Sequence, residues 1–214
     1  AFLVCSSLTA ITIPESVTSI GNKAFNTCRS LTSIVVAKGN KVYDSRGDCN
    51  AIIETNSNTL IQGCATTIIP ESVTSIGDHA FDGCSSLTSI TIPEGVTSIG
   101  EYAFRSCSSL KELSLGAGLT TIPTGLFVDC VALEKITSYS TRPPRCEGDI
   151  FSKATYDNAV LYVPKESVEK YQVMAGWSAF YDILALPTYV ADITLSQSEA
   201  MLTEGETLTL TATV

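Results

Sequence analysis

The chain of 214 residues is poor in the side chains that perform most catalysis and bind most metals. It has one histidine, His79, and one tryptophan, Trp177. No CxxC, HExxH or GxSxG pattern occurs, which argues against a zinc ribbon, a zinc protease and a serine hydrolase. The sequence therefore predicts no catalytic residue, no cofactor and no metal site.

Basic residues are outnumbered, with 13 Lys and Arg against 22 Asp and Glu, a net charge of −9 at pH 7. Such an acidic chain, with 7% aromatic residues, suits neither nucleic-acid phosphates nor an anionic membrane surface. It also lacks an apolar run of about 18 residues, the length a helix needs to span a bilayer. We therefore expect no nucleic-acid partner and no direct membrane insertion.

What the chain has in abundance is repetition. The segment IPESVTSIG stands at residues 13–21 and again at 69–77, and IPEGVTSIG follows at 92–100. Phenylalanine recurs at 2, 25, 81, 104 and 127, at steps of 23, 56, 23 and 23, and five cysteines recur at the same steps. Because 56 is 23 + 33, one unit carries ten extra residues. A period of this length is typical of a solenoid, in which each coil covers the next.

Each unit follows the pattern LxxIxIPxxVxxIGxxAFxxC, as at residues 87–107. The alternation in LTSITIP predicts a short strand that ends at Pro93, since proline has no donor for the ladder. Gly100 predicts a tight turn. Ala103, Phe104 and Cys107 fall at i, i+1 and i+4, which predicts about one helical turn. Stacked coils would bury the apolar side chains, each contributing about 1.5–3 kcal/mol.

The recurring IPxSVTSIGxxAFxxCxSLTSI resembles the BspA-like leucine-rich repeats of the Treponema pallidum type, over residues 1–138. Five AFxxC elements stay in phase, the last as LFVDC, which makes the match specific. The resemblance implies an α+β repeat fold, a right-handed leucine-rich-repeat solenoid with 23-residue coils. It also implies an exported surface protein of host-associated bacteria, with an extracellular or cell-surface localisation and a role in adhesion.

The 33-residue unit has strand patterns at 42–43, 51–53 and 60–61, separated by turn-forming residues. They predict a small β-meander that projects from the stack. The unit also contains Arg46-Gly47-Asp48, the integrin-binding tripeptide. One hypothesis is an adhesive site, and the other is a turn in which Gly47 supplies a positive φ.

Five of the eight cysteines share one repeat position, which predicts a column of buried thiols whose parallel Cβ directions are unsuited to disulfides. Cys49 and Cys64 differ because they flank the segment 50–63 and would face each other across a hairpin. A disulfide between them is one alternative, contributing about 3 kcal/mol by closing the loop. Two free thiols are the other alternative.

The period is lost after Ile136. Residues 139–186 contain a strand pattern in NAVLYVP, a short helix pattern in KESVEKYQVMAGW and an apolar cluster around Trp177, and we expect them to cap the solenoid. They resemble the endings of bacterial leucine-rich surface proteins. Residues 187–214 start with a linker and then alternate apolar and polar side chains, and they resemble the first strands of a bacterial Ig-like group 2 domain, a partial β-sandwich.

The outward-facing strand positions are the expected contact surface. If the units stack in phase, they form two columns, which contain Ser33, Ser89, Glu112 and Lys135, and Val35, Thr91, Ser114 and Thr137. Our preferred hypothesis is a non-catalytic surface module that recognises host or neighbouring-cell protein or glycan through this face. A structural spacer is the alternative, because the face has few of the Trp, Tyr and Arg residues typical of binding hot spots. An enzyme has the least support, since no carboxylate in a neighbouring layer obviously orients His79.

Overall fold

The computed structural model describes residues 2–187, together with two short strands at 194–195 and 212–213. Within these residues most of the regular structure is strand. The strands are β1 Ala10–Ile13, β2 Ser33–Val36, β3 Tyr43–Asp44, β4 Ala51–Glu54, β5 Thr59–Gly63, β6 Ser75–Ile76, β7 Ser89–Ile92, β8 Ser98–Ile99, β9 Glu112–Leu115, β10 Thr121–Ile122, β11 Lys135–Ser138, β12 Arg145–Cys146, β13 Val160–Val163, β14 Asp182–Ala185, β15 Thr194–Leu195 and β16 Ala212–Thr213. The helices are α1 Lys153–Asn158 and α2 Val168–Val173, and single 3-10 turns occupy Arg46–Asp48 and Lys165–Ser167.

The repeat strands pair in a parallel sheet of order β14-β13-β11-β9-β7. Paired residues in β7, β9 and β11 are one repeat apart, so that Ser89 lies opposite Glu112 and Glu112 opposite Lys135. Exposed and buried side chains alternate along β7, which confirms the strand predicted from its period-two pattern. The strand segment therefore recurs because each copy hydrogen-bonds to the next.

The segment after Gly100 does not form the helical turn that we predicted. Tyr102 and Ser106 adopt left-handed conformations, with φ of 57° and 58°, which prevents an α-helical ladder. Some backbone N–H groups bond within a turn, as that of Arg105 does to the Tyr102 carbonyl, and others bond between layers, as those of Phe81 and Gly83 do to the carbonyls of Ala103 and Arg105. The spacing i, i+1, i+4 was thus a wrong indicator of helix, because a stack of turns places the same side chains inward.

Phenylalanine rings stack along the interior of these turns. Ring centroids are 4.7 Å apart for Phe81 and Phe104 and 5.4 Å apart for Phe104 and Phe127, and a further ring, Phe151, follows at 5.3 Å from Phe127. Phe2 and Phe25 form a separate stacked pair at 5.3 Å. The repeated phenylalanine is therefore a layer-to-layer contact, as the repeat hypothesis requires.

The ten extra residues form the predicted β-meander, in which β3, β4 and β5 are antiparallel. It does not project from the stack, because β5 pairs in parallel with β6 and because Ile52, Ile53 and Leu60 are fully buried. A Cβ atom at Gly63 would overlap the Phe81 ring, which explains the glycine at the end of β5.

The buried apolar residues form two clusters that meet at the meander. The smaller contains Phe25, Ile34 and Ile52, and the larger runs from Cys49 to Ile183 on the last strand of the sheet. On β4, Ile52 belongs to the smaller cluster and its neighbours Ala51 and Ile53 belong to the larger one, so this strand contributes side chains to both. The meander is therefore the partition between an N-terminal and a C-terminal group of layers.

The sheet continues past residue 138, where the sequence predicted the solenoid to end. Strand β13 adds to β11 and β14 adds to β13, and Tyr171 and Trp177 of the segment between β13 and β14 are fully buried. The Trp177 Nε1–H donates to the Pro144 carbonyl at 2.7 Å, and the Tyr171 hydroxyl lies 2.7 Å from Ser138 Oγ. Ser138 occupies an inward position that is apolar in the neighbouring strands. A polar side chain is satisfied there because the Tyr171 hydroxyl of α2 hydrogen-bonds to it.

The Ig-like prediction for 187–214 lies almost entirely outside the described residues. Within that segment, β15 and β16 pair in an antiparallel arrangement, with Thr194 opposite Thr213.

Candidate functional site

Six of the eight predicted contact residues lie together on the outward face of the parallel sheet. Ser89, Glu112 and Lys135 are paired in one row across the strands, and Thr91, Ser114 and Thr137 are paired in a second row. The rows continue onto β13 and β14, where Val160 and Asp182 extend the first and Tyr162 and Leu184 the second. We call this surface of β7, β9, β11, β13 and β14 the strand face.

Ser33 and Val35 do not belong to the strand face as the in-phase stacking predicted. They lie on β2, which pairs with β1 in a separate two-stranded sheet. The segment 65–69 lies between the two sheets. On one side, Thr66 Oγ1 donates to the Thr32 carbonyl at 2.6 Å. On the other side, a groove of about 260 Å³ separates this segment from β7. Ile68 on this segment is 77% exposed.

Two pairs of opposite charges lie one repeat apart on this face, Lys111 with Glu134 and Glu112 with Lys135, and one of them forms an ion pair. Lys111 Nζ lies 3.0 Å from Glu134 Oε1 on the adjacent repeat, with both side chains more than half exposed. Glu112 and Lys135 are paired across β9 and β11, but no ion pair joins them within the part of the chain that the structure describes. Exposed pairs of this kind contribute about 0–1 kcal/mol, so they fix the charge pattern of the face more than its stability.

The strand face ends in a cleft of about 490 Å³. We call it the terminal cleft, and it is lined by Lys135, Thr137, Tyr139, Tyr162, Leu186 and Pro187. Thr137 is only 4% exposed, which corrects the prediction that it faces solvent freely, since Tyr162 pairs beside it on β13. Tyr139 is 48% exposed. The cleft thus combines an ammonium, a hydroxyl and two phenol groups with an apolar floor.

Sequence reasoning found Lys135 and Thr137 of the terminal cleft but missed both tyrosines. Tyr139 follows β11 directly, and Tyr162 lies 25 residues after Thr137 rather than 23. The two extra residues hide the repeat, although the LYVP motif had indicated a strand. Aligning that motif with the repeat strands would have placed Tyr162 on the face.

The Arg46-Gly47-Asp48 tripeptide forms a 3-10 turn in which Gly47 has φ of 65°. Nη2 of Arg46 donates to Asp44 Oδ2 at 2.6 Å, and Nη1 donates to Asn58 Oδ1 at 2.7 Å. The hydrogen bonds to Asp44 are the main cause of the raised pKa of Arg46. The guanidinium group therefore links the end of β3 to the turn between β4 and β5. This contact favours a structural role for the tripeptide over an adhesive one.

The repeated cysteines are free thiols that bond between layers. Sγ of Cys107 donates to the Phe81 carbonyl at 3.3 Å, and Sγ of Cys130 donates to the Phe104 carbonyl at 3.1 Å. Burial raises the pKa of Cys84 to about 12, so the thiol is protonated at neutral pH. These residues fill and link the coils and are not poised as nucleophiles.

Cys49 and Cys64 are also free thiols, which differs from the disulfide alternative. Cys49 packs in the larger core cluster, Cys64 in the smaller one. Sγ of Cys64 donates to the Asn50 carbonyl at 3.3 Å. A shift of pairing between Ile52 and Ile53 sets Ala51 opposite Gly63, so that Asn50, and not Cys49, comes opposite Cys64. Neighbouring residues of a strand point to opposite sides, and we therefore expect the two thiols to point away from each other.

His79 does have a carboxylate partner, from its own turn rather than from a neighbouring layer. Its Nδ1 lies 2.8 Å from Oδ2 of Asp82, whose side chain is 2% exposed. The same carboxylate accepts from Asn26 Nδ2 at 3.0 Å and from Arg105 Nε at 3.2 Å. Asp82 thus connects three turns of the stack, and we call this group of four residues the Asp82 cluster.

The Asp82 cluster resembles part of a catalytic triad but lacks a nucleophile. Among the described residues, no serine, threonine or cysteine side chain hydrogen-bonds to His79. The geometry is that of a buried carboxylate satisfied by three donors, which is a structural arrangement. In residues 2–187 no helix is long and apolar enough to cross a bilayer, and no group of three or more metal-ligating side chains comes together.

The parallel stack of copied strands, turns and buried phenylalanines defines a leucine-rich-repeat protein. A family model for the BspA type leucine rich repeat region matches residues 1–47 and 51–161 in six copies. The chain therefore belongs to the BspA type leucine-rich-repeat family. The match extends beyond residue 138, in agreement with the strands that follow β11.

Solved structures with the same fold come from several bacteria. A leucine rich cell surface protein from Faecalibacterium prausnitzii is 27% identical with a TM-score of 0.60, and the match covers 85% of this chain and 48% of that one. A leucine-rich repeat protein from Eubacterium ventriosum is 22% identical with a TM-score of 0.50, over 86% of this chain and 61% of that one. The pneumococcal vaccine antigen PcpA is 18% identical with a TM-score of 0.50, over 85% and 56%. The chain thus spans about half the length of the first of these proteins. No match to a curated protein was found.

Proposed function

We propose that this chain is a non-catalytic binding module that recognises a protein or glycan on a host or neighbouring cell through the strand face. The observation that carries the proposal is the terminal cleft, where Tyr139, Tyr162 and Lys135 converge beside an otherwise regular surface. Aromatic side chains flanked by a cation are typical of binding hot spots. The rest of the face, with its hydroxyl groups and its Glu112 and Lys135 row, would supply the polar rim.

The same proposal includes the location and architecture of the chain. Similarity to a cell surface protein of a bacterium supports an extracellular or surface position. We infer that the layers wind as one right-handed solenoid over 1–138, that 139–186 close it, and that 187–214 begin an Ig-like module. The antiparallel pairing of β15 with β16 supports the last of these inferences.

A structural spacer remains the second candidate. The outward residues of β7, Ser89 and Thr91, present only hydroxyl groups, and surfaces of this composition seldom contain hot spots. A spacer would need the strand face only to keep the layers in register, and neither tyrosine of the terminal cleft would then matter to binding.

A binding screen with matched tyrosine variants distinguishes the two candidates. The purified chain is tested against an array of matrix proteins and bacterial and host glycans, and each hit is repeated with Tyr139→Ser and Tyr162→Ser. Tyr181→Ser is the control, because Tyr181 is 85% exposed and lies outside the cleft. We expect the cleft variants to weaken a hit at least tenfold and the control to leave it unchanged. Absence of hits, or equal binding by all variants, would favour the spacer.

A further inference from the structure

A second cleft, of about 250 Å³, lies at the meander and shares no residue with the strand face. The turns at 20–25 and 77–79 form its two sides. The two turn segments meet at one end, where the Thr27 N–H donates to the Asp82 carbonyl. At the other end of these segments, β5 lies between them. Ile61 and Gln62 of β5 therefore form the floor of a hollow, which we call the meander cleft.

The floor of the meander cleft contains a buried amide with an unused acceptor. Gln62 is 8% exposed, and its Nε2 donates to the carbonyls of Gly63 and Ala80 at 2.8 and 2.9 Å. Its Oε1 has no hydrogen-bond partner among the described residues and is not sealed from solvent. Because this oxygen reaches solvent, a ligand that displaces water from it must supply a hydrogen-bond donor in its place.

Further polar groups surround this amide. The Tyr43 hydroxyl accepts from the Ile20 N–H at 3.1 Å, which leaves its own proton to donate. His79 bonds to Asp82 through Nδ1, which leaves Nε2 available. The remaining polar side chains that line the cleft are Asn22, Lys23, Glu54 and Asp78. Donors and acceptors thus both line this space, together with the largely buried aromatic side chains of Phe25 and Tyr43.

The charges of these side chains restrict the class of ligand. Two carboxylates, Glu54 and Asp78, against the single ammonium of Lys23 disfavour a phosphate or a sulfate. The density of polar groups disfavours an aliphatic ligand. A neutral sugar suits the site, because each of its hydroxyl groups both donates and accepts a hydrogen bond. The volume is below that of sites for drug-sized ligands, so it suits a single ring.

We propose that the meander cleft binds one neutral sugar residue of a glycan, independently of the strand face. The probes are the methyl glycosides of galactose, glucose, mannose and N-acetylglucosamine at millimolar concentration, with binding to the full chain followed by saturation-transfer NMR. At least one of the four should give signal.

Gly21→Trp is the blocking variant. Nothing lies within 4 Å of a Cβ atom at Gly21, so the indole can occupy the rim without displacing the core. Asn56→Trp, at the exposed tip of the meander, adds the same side chain outside the cleft. We expect Gly21→Trp to weaken binding at least tenfold, Asn56→Trp to leave it unchanged, and Glu54→Gln to weaken it severalfold through loss of a charged acceptor.

Three outcomes overturn the inference: no signal from any of the four glycosides, an undiminished signal with Gly21→Trp, or an equal loss with Asn56→Trp. Tyr139→Ser separates it from the proposed strand-face function. If that variant abolishes the sugar signal while Gly21→Trp does not, the sugar binds in the terminal cleft, and the meander cleft has no such role.

Discussion

The two identical copies of IPESVTSIG, at 13–21 and 69–77, differ in what the fold makes of them. In the second copy Val73 and Ile76 are 0% and 1% exposed, whereas Val17 and Ile20 of the first are only half-buried. Ile76 lies on β6, between β5 and β8, and Ile20 lies on no strand. The same letters therefore gain different amounts of burial, because burial comes from the neighbouring layer.

The aromatic rings show the same contrast between the two groups of layers. Phe81, Phe104 and Phe127 are fully buried in one column, while Phe2 is 38% exposed and stacks on Phe25. The meander separates the two groups, and its Gly63 leaves room for the Phe81 ring, which a Cβ atom at that position would overlap. The stability of a layer thus depends on its position relative to the meander.

The largest effect that would test this comparison is a matched truncation in the two copies. Ile76→Ala should lower the free energy of unfolding by about 2–5 kcal/mol, because it leaves a cavity beneath a covered layer. Ile20→Ala should cost less than half as much, since its site is partly open to solvent. Urea unfolding of both variants gives the two values, and equal losses would contradict the dependence on neighbouring layers.

A smaller effect is expected where the Asp82 cluster joins the two groups of layers. Asp82→Ala leaves the Asn26 amide and the His79 imidazole without their acceptor, which should cost about 1–3 kcal/mol. Asp82→Asn retains one acceptor oxygen and should cost less. Hydrogen exchange locates the damage: we expect faster exchange at Thr27, which donates across the junction, and unchanged exchange in β9 and β11. Uniform loss of protection would mean that the junction does not open separately.

The reactivity of the cysteine thiols tests how well the layers are packed. Burial raises the pKa of Cys84 to about 12 and that of Cys146 to about 11, so neither should react with a thiol reagent at pH 8 in the folded chain. Because the folded pKa values are raised, the contribution of the two thiols to stability is complete below the ordinary thiol pKa and is lost as pH rises towards these values.

Cys107→Ser should lower the free energy of unfolding by about 1–2 kcal/mol, since the smaller side chain leaves space in a packed column.

A count of thiols in the denatured, unreduced chain also decides the state of Cys49 and Cys64. Eight reactive thiols are expected, since all eight cysteines are free in the structure. Six would show that Cys49 and Cys64, or another pair, are bridged.

The repeat could be predicted from the sequence because the contacts that stabilise it join equivalent residues of adjacent units. Phe104, Cys107 and Leu110 recur at fixed steps, and each is buried by a copy of itself in the next layer. What could not be predicted depends on contacts between different kinds of segment. The terminal cleft requires Tyr162, which a two-residue insertion shifts out of phase, and the meander cleft requires β5 to lie between turns that are 56 residues apart in sequence.

The turn conformation shows a different limit of sequence reasoning. A spacing of i, i+1 and i+4 suits a helix, yet Tyr102 and Ser106 have positive φ without being glycine. Hydrogen bonds to the next layer stabilise this backbone, and they are invisible to an argument about one unit alone. Only the stack as a whole makes the left-handed residues acceptable.

The smallest expected effect concerns the meander at low pH. Partial burial tends to raise the pKa of Asp44, but hydrogen bonds from Arg46 and Thr55 outweigh it and bring that pKa below its ordinary value. A lowered folded pKa means that the stabilisation is present above the unfolded pKa and is lost as pH falls through the folded one. Because both partners are more than a quarter exposed, the contribution is at most about 1 kcal/mol. Unfolding midpoints of the wild type and Asp44→Asn should therefore differ at pH 6 and converge below pH ~4. A difference that persists in acid would show that Asp44 stabilises the meander through its shape and not through its charge.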